Sequence, residues 1–214
     1  MEAKMKEELG LNPWLSMWVR PRKTMQVIKE HNINHRLFVL CLIYGFQWML
    51  GALQFFSFGY AFTLFFIFLI AAVLAVPAGY IIFNFMGAFY YWMGKLVKGK
   101  GSFKQVRAAT AWSSVPIIVT CLIWIYLMLL HGNGLFISDY QKQLVGTIAT
   151  VTAFAGLTQL AMVIWSIVIF LHALGEVQGF SAWKALLNLF LAWLGAFILM
   201  FLIGWGVSAW THVS

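Results

Sequence analysis

"GKLVKGKGSFKQVRAATAWSSVP", residues 94–116, carries Lys95, Lys98, Lys100, Lys104 and Arg107 and no acidic residue, between two strongly apolar stretches. The side of a membrane on which it lies decides how often the chain crosses. The apolar run before it, residues 62–93, would make a helix of roughly 48 Å at about 1.5 Å per residue, well beyond a hydrocarbon core of about 30 Å. Either that run is one long helix kinked at Pro77, or it breaks there into two halves that each fall short of the usual span of about 20 residues. A break would carry the basic stretch to the opposite side.

Charge decides between the two. With five spans, one side holds Lys4, Lys6, Arg20, Arg22, Lys23, Lys29, Arg36, Lys95, Lys98, Lys100, Lys104, Arg107 and Lys184, and the other holds Lys142, thirteen against one. Basic residues concentrate on the cytoplasmic side of membrane proteins. The sequence therefore predicts an all-α polytopic integral membrane protein with five spans, at residues 37–56, 62–93, 111–130, 147–174 and 185–209. Residues 1–36 form a cytoplasmic amphipathic arm and residues 37–214 the membrane domain, with the N-terminus cytoplasmic and the C-terminus outside. Pro77 becomes a kink, tolerated where neighbouring groups satisfy the freed carbonyl.

Composition agrees. Of 214 residues, 63% are hydrophobic and 9% charged, against about 25% charged in an ordinary soluble domain. The net charge of +8 sits in segments flanking apolar runs, which suits anionic lipid headgroups and excludes nucleic acid as a partner. The opening "MEAKMKEELGLNPW" has no apolar run and no cleavage site, so the first span serves as the insertion signal. Cys41 and Cys121 fall in separate spans and read as small apolar side chains. Trp14, Trp18, Trp92, Trp112 and Trp183 lie near the cytoplasmic interface and Trp210 near the outer one, where amphipathic rings settle.

Chemistry at depth requires ionisable groups at depth. No Asp, Glu, Lys or Arg falls in the middle of a span, and the six acidic residues lie in the arm, a loop or a span end. No carboxylate pair is placed for acid–base work, so an enzyme is not expected. His31 and His35 share a helical face but lack a third ligand, so neither a metal site nor a cofactor is expected. His172 lies one turn before Glu176, and His131 and His212 stand alone. Within the spans, Gln47, Gln54, Asn84, Gln159, Ser166 and Asn188 suit interhelical hydrogen bonds. Small residues such as Ala75 and Gly79 let helices approach closely. A substrate path, if the chain has one, starts at Asn84 beside Pro77 and Gly79, since kinked helices mark transporter sites.

Two segments read as surface helices. In the arm, Asn12 caps a helix that Pro13 opens, and Pro21 opens another. Trp14, Leu15 and Trp18 fall on one face, followed by Arg20, Arg22 and Lys23, as in a helix lying in the membrane interface. Docking of a soluble partner is the alternative. In the basic stretch, Gly99 and Gly101 end the long helix, and Ser102 with Gln105 makes a capping box for a short basic surface helix.

Three segments together, "NPWLSMWVRPRKTMQ" at 12–26, "GKGSFKQVRAATAWSSVP" at 99–116 and "LHALGEVQGFSAWKALL" at 171–187, resemble the bacterial branch of the Yip domain family, the Ypt/Rab-interacting membrane proteins. The resemblance runs from Asn12 to the fifth span. It implies five spans, a cytoplasmic N-terminus and a bacterial plasma membrane. The family's eukaryotic members act in vesicle traffic and bind prenylated Rab-type GTPases, a role that the bacterial members do not carry over.

The expected function is that of a non-catalytic membrane protein that organises lipids or partner proteins through its basic face. Trp14, Trp18, Arg20, Arg22, Lys23, Lys95, Lys98, Lys100, Lys104 and Arg107 would contact anionic headgroups, another membrane or peripheral protein, or a second copy. The alternative is a small-solute transporter or lipid translocase working through Pro77, Gly79 and Asn84.

Overall fold

Hydrocarbon offers a backbone no hydrogen-bond partner, so a chain this apolar closes its N–H and C=O groups on itself as helices. In the computed structural model, which describes residues 2–211, helices and turns are the only elements and no strand occurs among the described residues. Three short helices, α1 (Glu2–Leu9), α2 (Pro13–Val19) and α3 (Pro21–His31), form the arm. The long helices are α4 (Leu37–Phe55), α5 (Leu64–Leu96), α7 (Ile117–His131), α9 (Gly146–Gln178) and α10 (Ala182–Thr211). Between them lie α6 (Phe103–Ser113), the single-turn α8 (Ser138–Lys142) and two short 3₁₀ turns. Five segments are long and apolar enough to cross a membrane. His212 and the side chain of Trp210 lie outside what is described.

The doubtful second run is one unbroken helix of 33 residues with Pro77 inside it. Five spans follow, and residues 94–116 stay at the same end as the arm. At that end Met5, Leu9, Met17, Met25 and Ile28 of the arm share a core with Phe83, Val106, Trp112, Ile169 and Leu174. A second core, around Leu50, Ile67, Trp124 and Phe136, holds the opposite end.

The third span begins later than expected, at Ile117 and not at residue 111. Residues 111–113 finish α6, and a turn through Ser114 and Pro116 separates it from α7. The hydroxyls of Ser113 and Ser114 donate to the Thr110 and Ala111 carbonyls, at 2.7 and 2.6 Å, and so occupy acceptors that the helix end leaves open. No charged residue marks this turn, and its two serines and Pro116 lie between apolar segments, which is why the sequence merged the two helices. Nor does α6 lie on the surface. Val106, Ala108, Ala109, Ala111 and Trp112 are buried between α5 and α9.

The tightest crossing joins α4 to α5. A methyl group on Gly45 would collide with the Ala75 carbonyl, and one on Gly79 with the Cys41 carbonyl. Lipid is as apolar as leucine, so association here rests on packing of this kind. Gly45→Leu and Gly79→Leu are each expected to destabilise the protein by at least about 1–3 kcal/mol, the usual cost of overpacking. Gly51→Ala, whose methyl would meet nothing within 4 Å, serves as the neutral control. Thermal unfolding in detergent, followed by scanning fluorimetry, distinguishes the two outcomes.

Candidate functional site

The three segments singled out in the sequence meet at one end of the bundle. Asn12 Oδ1 accepts from the Trp14 backbone N–H at 3.0 Å and caps α2. The buried Thr24 hydroxyl joins α3 to α2 through Ser16 Oγ, at 2.8 Å. The Trp14 ring lies 5.2 Å from Trp112 of α6, and the His35 ring stacks nearly parallel to Trp112 at 6.0 Å. Lys29 reaches Glu176 at 3.4 Å, and Arg22 donates to the Phe180 carbonyl at 3.4 Å. Glu176 thus pairs with the arm. The arm is thereby fastened to the turn between α9 and α10.

The basic loop docks on the same turn through Gln178, which is 1% exposed. Lys100 N–H donates to the Gln178 carbonyl at 2.9 Å, and Gly101 N–H to Gln178 Oε1 at 3.1 Å. A methyl group on Gly94 or Gly99 would strike the Gln178 amide, and one on Gly101 would come within 2.6 Å of the Val177 carbonyl. Gly94 at the end of α5 and Gly99 and Gly101 in the charged loop therefore mark a close approach of backbone to the buried turn at Gln178. Gln178 carries no motif of its own, and in the sequence these glycines are the one signal of its role. Ser102 and Gln105 then complete the expected capping box, at 2.9 and 3.4 Å.

Docked in this way, the loop and arm present Arg20, Arg22, Lys23, Lys95, Lys98, Lys100 and Lys104 to the outside, with Lys184 at the start of α10. Lys95 Nζ lies 5.1 Å from the centre of the Tyr91 ring. Arg107 departs from the expectation. Its guanidinium turns in, donating to Asn84 Oδ1 at 3.2 Å and to Asn34 Oδ1 at 2.9 Å. Asn84 also donates to the Tyr80 carbonyl at 2.7 Å, so both ends of its amide are engaged. Pro77 lies on an exposed face of α5, and Gly79 is taken up by the crossing with α4.

The outward tryptophans are also reassigned. Trp14 and Trp18 are half-buried and pack against the core, Trp14 against Trp112 of α6. The apolar side chains left outside are Leu15 and Val19 on α2, Trp92 and Leu96 on α5, and Trp183 on α10. Basic groups above an apolar belt match a surface resting in a headgroup layer, where long side chains reach outward and rings sit at the boundary. Among the described residues no group of three or more His, Cys, Asp or Glu side chains gathers.

The opposite end is joined by polar links, and among the described residues it carries one Lys or Arg, Lys142. Gln54 donates to the Leu135 carbonyl at 3.0 Å and Asn133 to the Gly59 carbonyl at 2.8 Å. The Tyr60 hydroxyl donates to Asp139 at 2.6 Å. That bond first, and Lys142 second, hold the Asp139 carboxyl below its ordinary value of 3.8.

Compared with known proteins, residues 15–205 match the family model of the Yip1 domain. No curated protein and no solved structure matches the chain.

Arg107→Ala is expected to cost about 1.5–3 kcal/mol, the range for a hydrogen bond to a charged group. Lys104→Ala, on the exposed side of the same helix, stays within about 0.5 kcal/mol. Equal midpoints in chemical unfolding would refute this division. Asp139 is the chain's single aspartate, so selective ¹³C labelling reads its titration directly. A carboxyl depressed by folding adds stability above its ordinary value and loses it as pH falls through the lower, folded value. The midpoint is expected below 3.8, and Tyr60→Phe is expected to raise it.

Proposed function

This chain belongs to the Yip1 domain family, and on that premise we propose that it is a non-catalytic membrane protein whose basic end gathers anionic lipid headgroups. The basic end lies in the cytoplasm, and the C-terminus lies across the membrane. A partner protein, or a second copy, would be recruited on the same surface.

The observation that carries this reading is the arrangement of exposed Arg20, Arg22, Lys23, Lys95, Lys98, Lys100 and Lys104 around one docked platform. Each cation near an anionic leaflet contributes about 1 kcal/mol of attraction, within a screening length of about 8 Å at physiological salt. The loop is held on Gln178 and the arm on α9, so these charges are displayed by packed helices and not by a free tail. Less ordering is then needed when headgroups bind.

The test uses the full chain in nanodiscs of mixed phosphatidylcholine and phosphatidylglycerol, with bound lipids counted by native mass spectrometry. Phosphatidylglycerol is expected to be enriched around the wild-type protein, and less so at high salt. Replacement of Lys95, Lys98, Lys100 and Lys104 together by Gln is expected to abolish most of the enrichment. Unchanged enrichment in that variant would sink the proposal.

A further inference from the structure

Below the docked platform a cavity of about 540 Å³ opens among α4, α5, α6, α7, α9 and α10. Its volume lies in the range of roughly 300–1,000 Å³ typical of small-ligand sites. The inner wall is built from Phe83, Tyr90, Ser113, Ser114 and Phe170, all buried. The turn between α6 and α7 closes it toward the basic end.

Two features say what would enter. The side chains at the mouth, Trp48, Ile81, Phe85, Val163 and Trp193, are apolar or aromatic and exposed. They lie within membrane-spanning helices, so the mouth faces hydrocarbon and not water. Inside, the lining offers uncharged polar groups. Ser166 Oγ is buried with no hydrogen-bond partner, a costly state in an apolar medium. The Ser113 and Ser114 hydroxyls donate to backbone carbonyls and keep lone pairs. Tyr44, Gln47, Tyr90 and Thr110 add further polar groups, and no Asp, Glu, Lys, Arg or His is among the lining residues.

From these we infer that the cavity holds one acyl chain of a glycerolipid drawn sideways from the bilayer, with an ester carbonyl accepting a hydrogen bond from the Ser166 hydroxyl. An ester carbonyl supplies the acceptor that Ser166 lacks and brings no charge to a lining without countercharge. A water-soluble solute would have to pass an apolar mouth. The site is separate from the headgroup surface proposed above, and an uncharged region of the lipid occupies it.

The experiment reconstitutes the full chain into phosphatidylcholine vesicles carrying a small fraction of phosphatidylcholine with a diazirine in one acyl chain. After irradiation, the modified residues are mapped by peptide mass spectrometry. Adducts are expected on the inner wall, at Phe83, Tyr90 or Phe170, in excess of those at outward residues such as Leu199 and Phe201. Ser166→Trp, which fills the space, should reduce the inner-wall adducts at least fivefold and leave the outward adducts unchanged. Ser166→Ala is the milder variant should the tryptophan prevent folding; it removes only the hydroxyl and should weaken inner-wall labelling about threefold or more. Adducts confined to outward residues would overturn the inference, as would inner-wall labelling that neither variant alters. Loss of inner-wall labelling as protein is crowded in the vesicle would assign the cavity to a second copy and likewise overturn it. The vesicles contain no anionic lipid, so this result does not depend on headgroup enrichment.

Discussion

A backbone amide in hydrocarbon has no water to fall back on, and every element of this chain obeys that constraint. Long segments become helices because only a helix satisfies its own N–H and C=O groups within one span. The constraint relaxes at the two ends, and the non-helical turns and most side-chain hydrogen bonds between segments gather there. At the basic end, the Lys100 and Gly101 amides find acceptors on Gln178. At the other, the Leu135 and Gly59 carbonyls find Gln54 and Asn133. Those bonds fix the loops, and the loops fix which side chains the protein displays.

Between the ends, fit decides more than polarity. Helices in lipid gain little from burying apolar surface against each other, so close contact of small residues becomes the source of specificity. The Gly45 and Gly79 crossing sets α4 against α5 along most of their length. Beyond residue 196, α10 is exposed on all sides described. The interior left between this tight pair and the looser α9 and α10 is the cavity argued above to hold a lipid chain. One packing rule thus accounts for both the most rigid contact and the space.

Arg107 and Lys104 show how differently neighbouring charges can be used. Both stand on α6, three residues apart, and both belong to the basic stretch between the second and third spans. Lys104 is exposed, whereas the planar guanidinium of Arg107 can donate in two directions at once. It bridges Asn84 on α5 and Asn34 before α4, tying the loop to the membrane helices. Charge count alone treats the two as equal.

Much of this protein was legible without coordinates. The number of spans, their order and the end on which the basic residues gather follow from hydropathy, length and charge asymmetry, which are one-dimensional properties. The capping box at Ser102 and the caps at Asn12 and Pro13 are local and were also readable. The start of the third span was not, because no charge marks the turn at residues 113–116, which hydroxyl-to-carbonyl and backbone turn bonds close. Nor was the packing of Trp14, Trp18 and the inner face of α6 against the core, since helical periodicity tells which residues share a face but not what that face meets. Tertiary structure alone decided that Gln178 seats the basic loop and that Ser166 opens on a cavity. The physical reason is the same in both cases: residues distant in sequence become neighbours only when helices pack, and a side chain's role is set by those neighbours.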